Sequence, residues 1–203
     1  VMTVGVHAGR ELEGVLPRAT VIGIGPGLGR DGWASQLLQQ ALAAGRPLVV
    51  DADALNLLAE LPATPRRHDW ILTPHPGEAA RLLGTATAAI QADRFAAAGA
   101  LQQRYGGVVI LKGRGTVIAG PDGISVSPFG NAGMASGGMG DVLTGIAAGL
   151  RAQAEALRLT LQQVAELAVV LHGQAGDRAA EQGERGLLAS DLLAELRGLG
   201  NPS

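Results

Sequence analysis

Asn131-Ala132-Gly133-Met134-Ala135-Ser136-Gly137-Gly138-Met139-Gly140-Asp141-Val142-Leu143-Thr144-Gly145 is the most informative stretch of the chain. Four glycines fall within the eight positions 133–140, and an apolar pattern of helical period follows at once. Glycine lets a backbone turn tightly and approach a ligand closely. A helix that starts there offers unpaired N–H groups to an anion. The nucleotide-binding P-loop pattern needs Gly-x-x-x-x-Gly-Lys followed by Ser or Thr, and no lysine stands here. An acid, Asp141, follows the loop instead. It reads either as a helix N-cap, a common place for aspartate, or as a base drawing a proton from a hydroxyl that attacks phosphorus.

Working outward, strand-like and helix-like runs alternate, which predicts βαβ units and a mostly parallel sheet covered on both faces. Strands are expected at Val21-Ile22-Gly23-Ile24, 47–51, 70–73 and 108–112. Helices are expected over 31–44, 53–60, 76–83 and 87–105, with Pro76 as a first helical residue. Residues 116–119 and 124–127 flank Pro121-Asp122-Gly123 and read as a hairpin, which makes the sheet mixed at one edge. Three helices follow at 141–153, 160–182 and 190–199, the second opened by the capping box Thr160-x-x-Gln163. No repeat, low-complexity tract or linker interrupts the 203 residues, so 1–203 reads as one domain.

Composition removes several function classes. Sixteen Lys and Arg against eighteen Asp and Glu leave a net charge of −2, too little positive field to hold a nucleic-acid backbone or an anionic membrane. Aromatic residues make up 2% of the chain, which excludes a stacking platform for single strands. With 47% hydrophobic residues, the chain is too apolar for disorder. The absence of cysteine excludes disulfides and thiol chemistry and fits a reducing cytoplasm. No stretch reaches the length of about 18 apolar residues that a membrane span requires, and the start lacks the pattern of a signal peptide.

Four further segments carry candidate chemistry. Gly23-Ile24-Gly25-Pro26-Gly27-Leu28-Gly29 joins a strand to a helix but departs from the Gly-x-Gly-x-x-Gly dinucleotide fingerprint; it is a tight turn, a place of close ligand approach, or both. Thr73-Pro74-His75-Pro76-Gly77-Glu78 puts His75 at a strand end, where α/β sheets bind ligands. A substrate contact is favoured there over a core histidine, and no third ligand supports a metal. Lys112-Gly113-Arg114-Gly115-Thr116 combines two cations with two glycines, suited to phosphates or ribose, although a plain turn has the same composition. Asp51, Asp53 and Asn56 follow a strand and can orient a ligand or Mg2+-bound waters, with helix capping by Asp53 as the simpler account. His172, in an apolar helix, reads as a satisfied core residue, while His7 and His68 carry no usable context.

GPGLGRD, VVDADALNLL, LTPHPGE, ILKGRGTVI, NAGMASGGMGDVLTGIAAGLRAQ and VVLHGQAGDRAA stand in this order over about residues 19–199. Together they resemble the ADP-dependent NAD(P)H-hydrate dehydratase family. The resemblance implies a ribokinase-like α/β fold and a hydro-lyase that repairs the S form of hydrated NADH or NADPH. It implies ADP, with ATP as the alternative phosphoryl donor, Mg2+ as counter-ion, AMP and phosphate as products, no nucleic-acid or membrane partner, and a cytoplasmic homo-oligomer.

Carried over by motif, Asp141 is implied as the catalytic base facing the substrate. Gly27, Gly29 and His75 are implied as contacts to the hydrated dinucleotide. Lys112, Gly113, Arg114, Gly115 and Thr116, with Gly138, Met139 and Gly140, are implied as the ADP site, and no residue is implied as a metal ligand. Family members carry an additional N-terminal part that includes a substrate contact, so this sequence is expected to start partway into the domain. Two other readings share the glycine-loop-plus-acid arrangement: a hydroxymethylpyrimidine or hydroxyethylthiazole kinase, and a nucleotide-binding module without catalysis. The segments HPGE and GPGLG favour the dehydratase.

Overall fold

The computed structural model of the chain describes residues 3–63 and 65–201. Its sheet runs β1 (Ile22–Ile24), β2 (Leu48–Val50), β3 (Trp70–Leu72), β4 (Val108–Leu111), β5 (Val117–Gly120) and β6 (Gly123–Val126), side by side in sequence order. The first four strands pair in parallel, while β5 and β6 pair antiparallel as the expected hairpin. Every residue of β2, β3 and β4 is buried, as expected for parallel strands covered by helices on both faces.

The two-residue period of a strand divides these side chains between two cores. Leu48, Val50, Trp70, Leu72, Val109 and Leu111 point to one side. There they meet α1 (Gly32–Ala43), α2 (Ala52–Glu60), α3 (Pro76–Leu83) and α5 (Arg94–Tyr105). Val49, Ile71, Val108, Ile110 and Ile118 point to the other side, against α6 (Met139–Leu157) and α7 (Leu161–Ala179). A third apolar cluster seats α8 (Ala189–Leu199) beside α7 through Ala175, Leu187 and Leu192. With so few aromatic residues, Leu, Ile, Val and Ala fill these cores, and Trp70 and Tyr105 are the large exceptions, both essentially inaccessible.

Three helices differ from expectation by more than one residue, and the one expected over 160–182 ends as an α-helix at Ala179 and finishes in a 3-10 turn, Ala180–Gln182. The helix expected over 87–105 is broken into α4 (Thr87–Ala92) and α5. Asp93 leaves the helical region at φ −147°, and its side chain accepts from the Ala96 N–H at 2.9 Å, so a capping carboxylate ends one helix and starts the next. The helix expected from Asp141 begins two residues earlier, at Met139, and runs on to Leu157. The capping box of α7 forms as expected, with Thr160 and Gln163 bonding each other's backbone N–H. Among the described residues no helix is long and apolar enough to cross a membrane.

Candidate active site

The C-terminal ends of β1 to β4 draw together at the N-terminus of α6. The Asp51 N–H, just beyond β2, donates to Ile24 at the end of β1, and the Lys112 N–H, just beyond β4, donates at 2.8 Å to Pro74 beyond β3. Any side chain on Gly25 would collide with the Asp51 carbonyl. The glycine there is what lets the first turn pass the end of β2.

The first turn of α6 is built for an anion. Gly138, the residue before it, has φ 85°, and no side chain caps the helix, so the leading N–H groups stay available. This corrects the N-cap reading of Asp141. That residue lies inside the first turn with its side chain exposed, and its carboxylate adds favourable negative charge at the positive end of the helix dipole.

Lys112 supplies the cation beside that turn. Its Nζ lies 3.3 Å from where a Cβ on Gly140 would stand and 2.5 Å from Asp51 Oδ1. Asp51 is 1% exposed, and its Oδ2 accepts the Thr144 hydroxyl at 3.0 Å. The 112–116 turn is braced from α5, where Arg94 donates to the Arg114 and Leu111 carbonyls at 2.6 and 3.0 Å. Thr116 closes the turn through its hydroxyl to Gly113.

His75 is the N-cap of α3, not a freely placed ring. Its Nδ1 accepts the Gly77 and Glu78 N–H groups at 3.0 and 3.2 Å, and Glu78 accepts the His75 N–H at 2.8 Å. With Nδ1 so occupied, a neutral ring carries its proton on Nε2, which stands 3.3 Å from Glu78 Oε1. Half of the side chain remains exposed.

These elements wall a cavity of about 900 Å³, at the upper end of the usual size for small-molecule sites. Lys112, Gly113, Arg114 and Thr116 line one side, Met139 and Gly140 another, and His75 its edge. Gly27, Gly29, Gly115, Gly138 and Asp141 lie outside this lining. Gly27 and Gly29 are exposed with φ 63° and 77°, and the Gly29 N–H donates to Asp53 Oδ2 at 2.9 Å. Asp53 therefore braces the first turn instead of capping α2. Asn56 is engaged with Arg81.

Part of the wall escaped the sequence reading. Phe129, Asn131, Met134 and Ser136 line it from the loop before α6, and Val169, His172 and Gly173 from α7. Asn131 bonds the Gly176 carbonyl and Asp177, which also accepts the Gly130 N–H. The signal was present in Leu-His-Gly-Gln-Ala-Gly: a Cβ on Gly173 would come within 2.6 Å of Phe129, and one on Gly176 would overlap Met134. These glycines keep α7 smooth where the loop packs on it. His172, expected in the core, reaches the cavity with its Nε2 2.9 Å from the Met139 carbonyl. Burial, with Lys112 nearby, pushes its pKa down to about 4, against the pull of the Met139 bond. The ring is neutral at physiological pH.

Comparison with known proteins gives the family. The profile of the NAD(P)H-hydrate dehydratase family matches residues 1–197. The chain is 54% identical over 199 residues to the bifunctional NAD(P)H-hydrate repair enzyme of Coxiella burnetii, covering 97% of this chain and 40% of that protein. It is 42% identical over 192 residues to the ADP-dependent (S)-NAD(P)H-hydrate dehydratase of Neisseria meningitidis, covering 90% of this chain and 63% of that one. The chain thus spans less than two thirds of the length of these relatives.

Among solved structures, the ADP/ATP-dependent NAD(P)H-hydrate dehydratase of Bacillus subtilis, co-crystallised with ATP and Mg2+, superposes with a TM-score of 0.77 at 34% identity. It covers 90% of this chain and 65% of its own. A ribokinase-like superfamily protein of Enterococcus faecalis superposes with a TM-score of 0.80 at 31% identity, over 94% of this chain and 66% of that one. A parallel sheet closed by an antiparallel hairpin, a glycine-started helix at its C-terminal edge and a family profile that matches nearly every residue lead to one conclusion: this chain belongs to the NAD(P)H-hydrate dehydratase family.

Proposed function

We propose that the chain catalyses the ADP-dependent dehydration of the S form of hydrated NADH or NADPH, returning the reduced dinucleotide with release of AMP and phosphate. The observation that carries this reading is the meeting of the Lys112 ammonium with the uncapped first turn of α6 at the wall of a cavity of about 900 Å³. That combination suits the diphosphate of a nucleotide. Lys112, Gly113, Arg114, Gly115 and Thr116, with Gly138, Met139 and Gly140, form the nucleotide site in this reading. Gly27, Gly29 and His75 contact the hydrated dinucleotide. The likeness to the ADP-dependent dehydratase of Neisseria supports ADP as donor, and the Bacillus crystals grown with ATP support ATP as an alternative.

The chemistry answers a leaving-group problem, because hydroxide leaves poorly at neutral pH. The ring hydroxyl attacks the terminal phosphorus of ADP, its proton passes to the Asp141 carboxylate, and the bond to AMP breaks. Phosphate then leaves the ring carbon, a proton leaves the neighbouring carbon, and the double bond is restored. Asp141 suits this role because it is exposed beside Gly140 in the first turn of α6, a few residues from the phosphate site.

Mg2+ finds no ready cluster of ligands among the described residues. Among the described residues no group of three or more His, Cys, Asp or Glu side chains is placed to hold a metal ion. The two buried acids, Asp51 and Glu78, both face Lys112. A divalent ion therefore fits here as a companion of the nucleotide's own phosphates, and no step is assigned to it.

The continuous sheet and its shared cores support 1–203 as a single domain. The family resemblance is what supports a homo-oligomer working in the cytoplasm. The test is dehydration of hydrated NADH, followed by absorbance of the reduced ring with and without ADP and Mg2+. ADP-dependent recovery is expected. Recovery that needs no nucleotide, or none in any condition, would overturn the assignment.

A further inference from the structure

Two carboxylates are buried beside Lys112, which lines the cavity, and its one ammonium serves both. Asp51 and Glu78 are 1% and 4% exposed. Lys112 Nζ is 2.5 Å from Asp51 Oδ1 and 3.9 Å from Glu78 Oε2. Asp51 occupies the position before α2, yet its side chain makes no bond to that helix. Its two oxygens are committed elsewhere, to Lys112 on the β4–β5 turn and to Thr144 on α6.

Geometry gives this commitment a direction. A lysine ammonium is a compact charge on a flexible four-carbon stem, so its place depends on its partners. Asp51 draws Nζ against Gly140, where a Cβ would touch both Nζ and Asp51 Oδ2 at 3.3 Å. Without the Asp51 charge, Glu78 would be the remaining acid in reach, and it belongs to the capping box at His75 that opens α3.

We propose that Asp51 is a positioning residue that holds the Lys112 ammonium against the first turn of α6, so that this lysine, and not a metal ion ligated by Asp51 and Glu78, is the cation the protein brings to the phosphates. The proposal rests on the nucleotide reading of the cavity. It explains why a buried acid beside a phosphate site is tolerated: each carboxylate is paired, whereas an unpaired buried charge is strongly destabilising.

The experiment measures ADP affinity by calorimetry in wild type, Asp51→Asn, Lys112→Met and the double variant. Asparagine is isosteric and keeps an acceptor for Thr144. Asp51→Asn is expected to weaken ADP binding about tenfold or more, in line with the loss of one charge-assisted bond. In the Lys112→Met background it is expected to cost nothing further, because there is no ammonium left to position. An equal cost in both backgrounds would show a merely structural role and overturn the proposal. Should Asp51→Asn alone fail to fold, a further loss of ADP affinity in the double variant relative to Lys112→Met would still overturn the proposal.

A second arm needs no nucleotide. Mn2+ titrated into the wild-type chain and followed by electron paramagnetic resonance is expected to show no site involving Asp51. Tight binding that Asp51→Asn abolishes would overturn the proposal. If wild type fails to bind ADP, the nucleotide reading falls, and the Mn2+ result still decides whether Lys112 or a metal occupies the acids.

Discussion

The His172 ring on α7 donates from Nε2 to the Met139 carbonyl at 2.9 Å, tying α7 to the opening turn of α6 across the cavity wall. The donor role fixes the neutral ring's proton on the nitrogen that faces α6. Burial holds the pKa near 4, against an ordinary value of 6.5.

That difference makes His172 a source of acid sensitivity. Its folded pKa lies below its unfolded one, so between pH 6.5 and about 4 the unfolded chain binds the extra proton and stability falls as pH falls. At about 1.4 kcal/mol per pH unit the ceiling is ~3 kcal/mol. His172→Gln can still donate to Met139 and does not titrate. Urea denaturation at pH 7 and pH 4 is expected to show a smaller acid loss in that variant than in wild type, and identical losses would remove His172 as the cause.

Gly140→Val tests the phosphate site directly. A Cβ there already meets Asp51 Oδ2 and Lys112 Nζ at 3.3 Å, and a branched side chain would push the pair apart and cover the helix N–H groups. ADP affinity is expected to fall by more than ~10-fold, the loss of one good charge-assisted contact. Unchanged affinity by calorimetry would place the diphosphate elsewhere.

Asp141→Asn separates binding from chemistry. The residue is exposed in the first turn of α6, makes no cap and does not line the cavity, so fold and ADP affinity are expected to persist. The rate of dehydration is expected to drop by about 10²–10⁴, the range for a general base. A rate close to wild type would remove it from that role.

Gly173→Ala probes the wall. The added Cβ would sit 2.6 Å from Phe129 Cβ and 3.0 Å from its carbonyl carbon. Overpacking costs about 1–3 kcal/mol, against a gain in helix propensity of at most about 1 kcal/mol. The clash is expected to win, lowering Tm and loosening the loop that carries Asn131. A higher Tm would show that the loop moves aside freely.

The fold was readable because its signals are local and repeated. Apolar runs of strand length, glycines at strand ends and caps at helix starts placed the sheet, its mixed edge and most of the helices within a few residues. The break at Asp93 was hidden because alanines continue the helical pattern on both sides, and only the backbone turn lets the carboxylate cap Ala96. The start of α6 was misplaced because Met139 and Gly140 look like loop residues until the positive φ at Gly138 turns the chain ahead of them.

Chain order and residue type by themselves determined the family, the parallel sheet and the segments that flank the site, since a glycine needed for close approach and a proline that opens a helix act within a few residues of themselves. Which groups meet was decided only by the tertiary structure. Asp51, Lys112 and Thr144 are separated by 61 and 93 positions from the first of them, and Asp51 was legible only as one of three polar residues after a strand. Packing β2 between β1 and β3 and laying α6 across the strand ends buries that carboxylate, and a buried carboxylate requires a cation within reach. The sheet order therefore chose Lys112 as its partner.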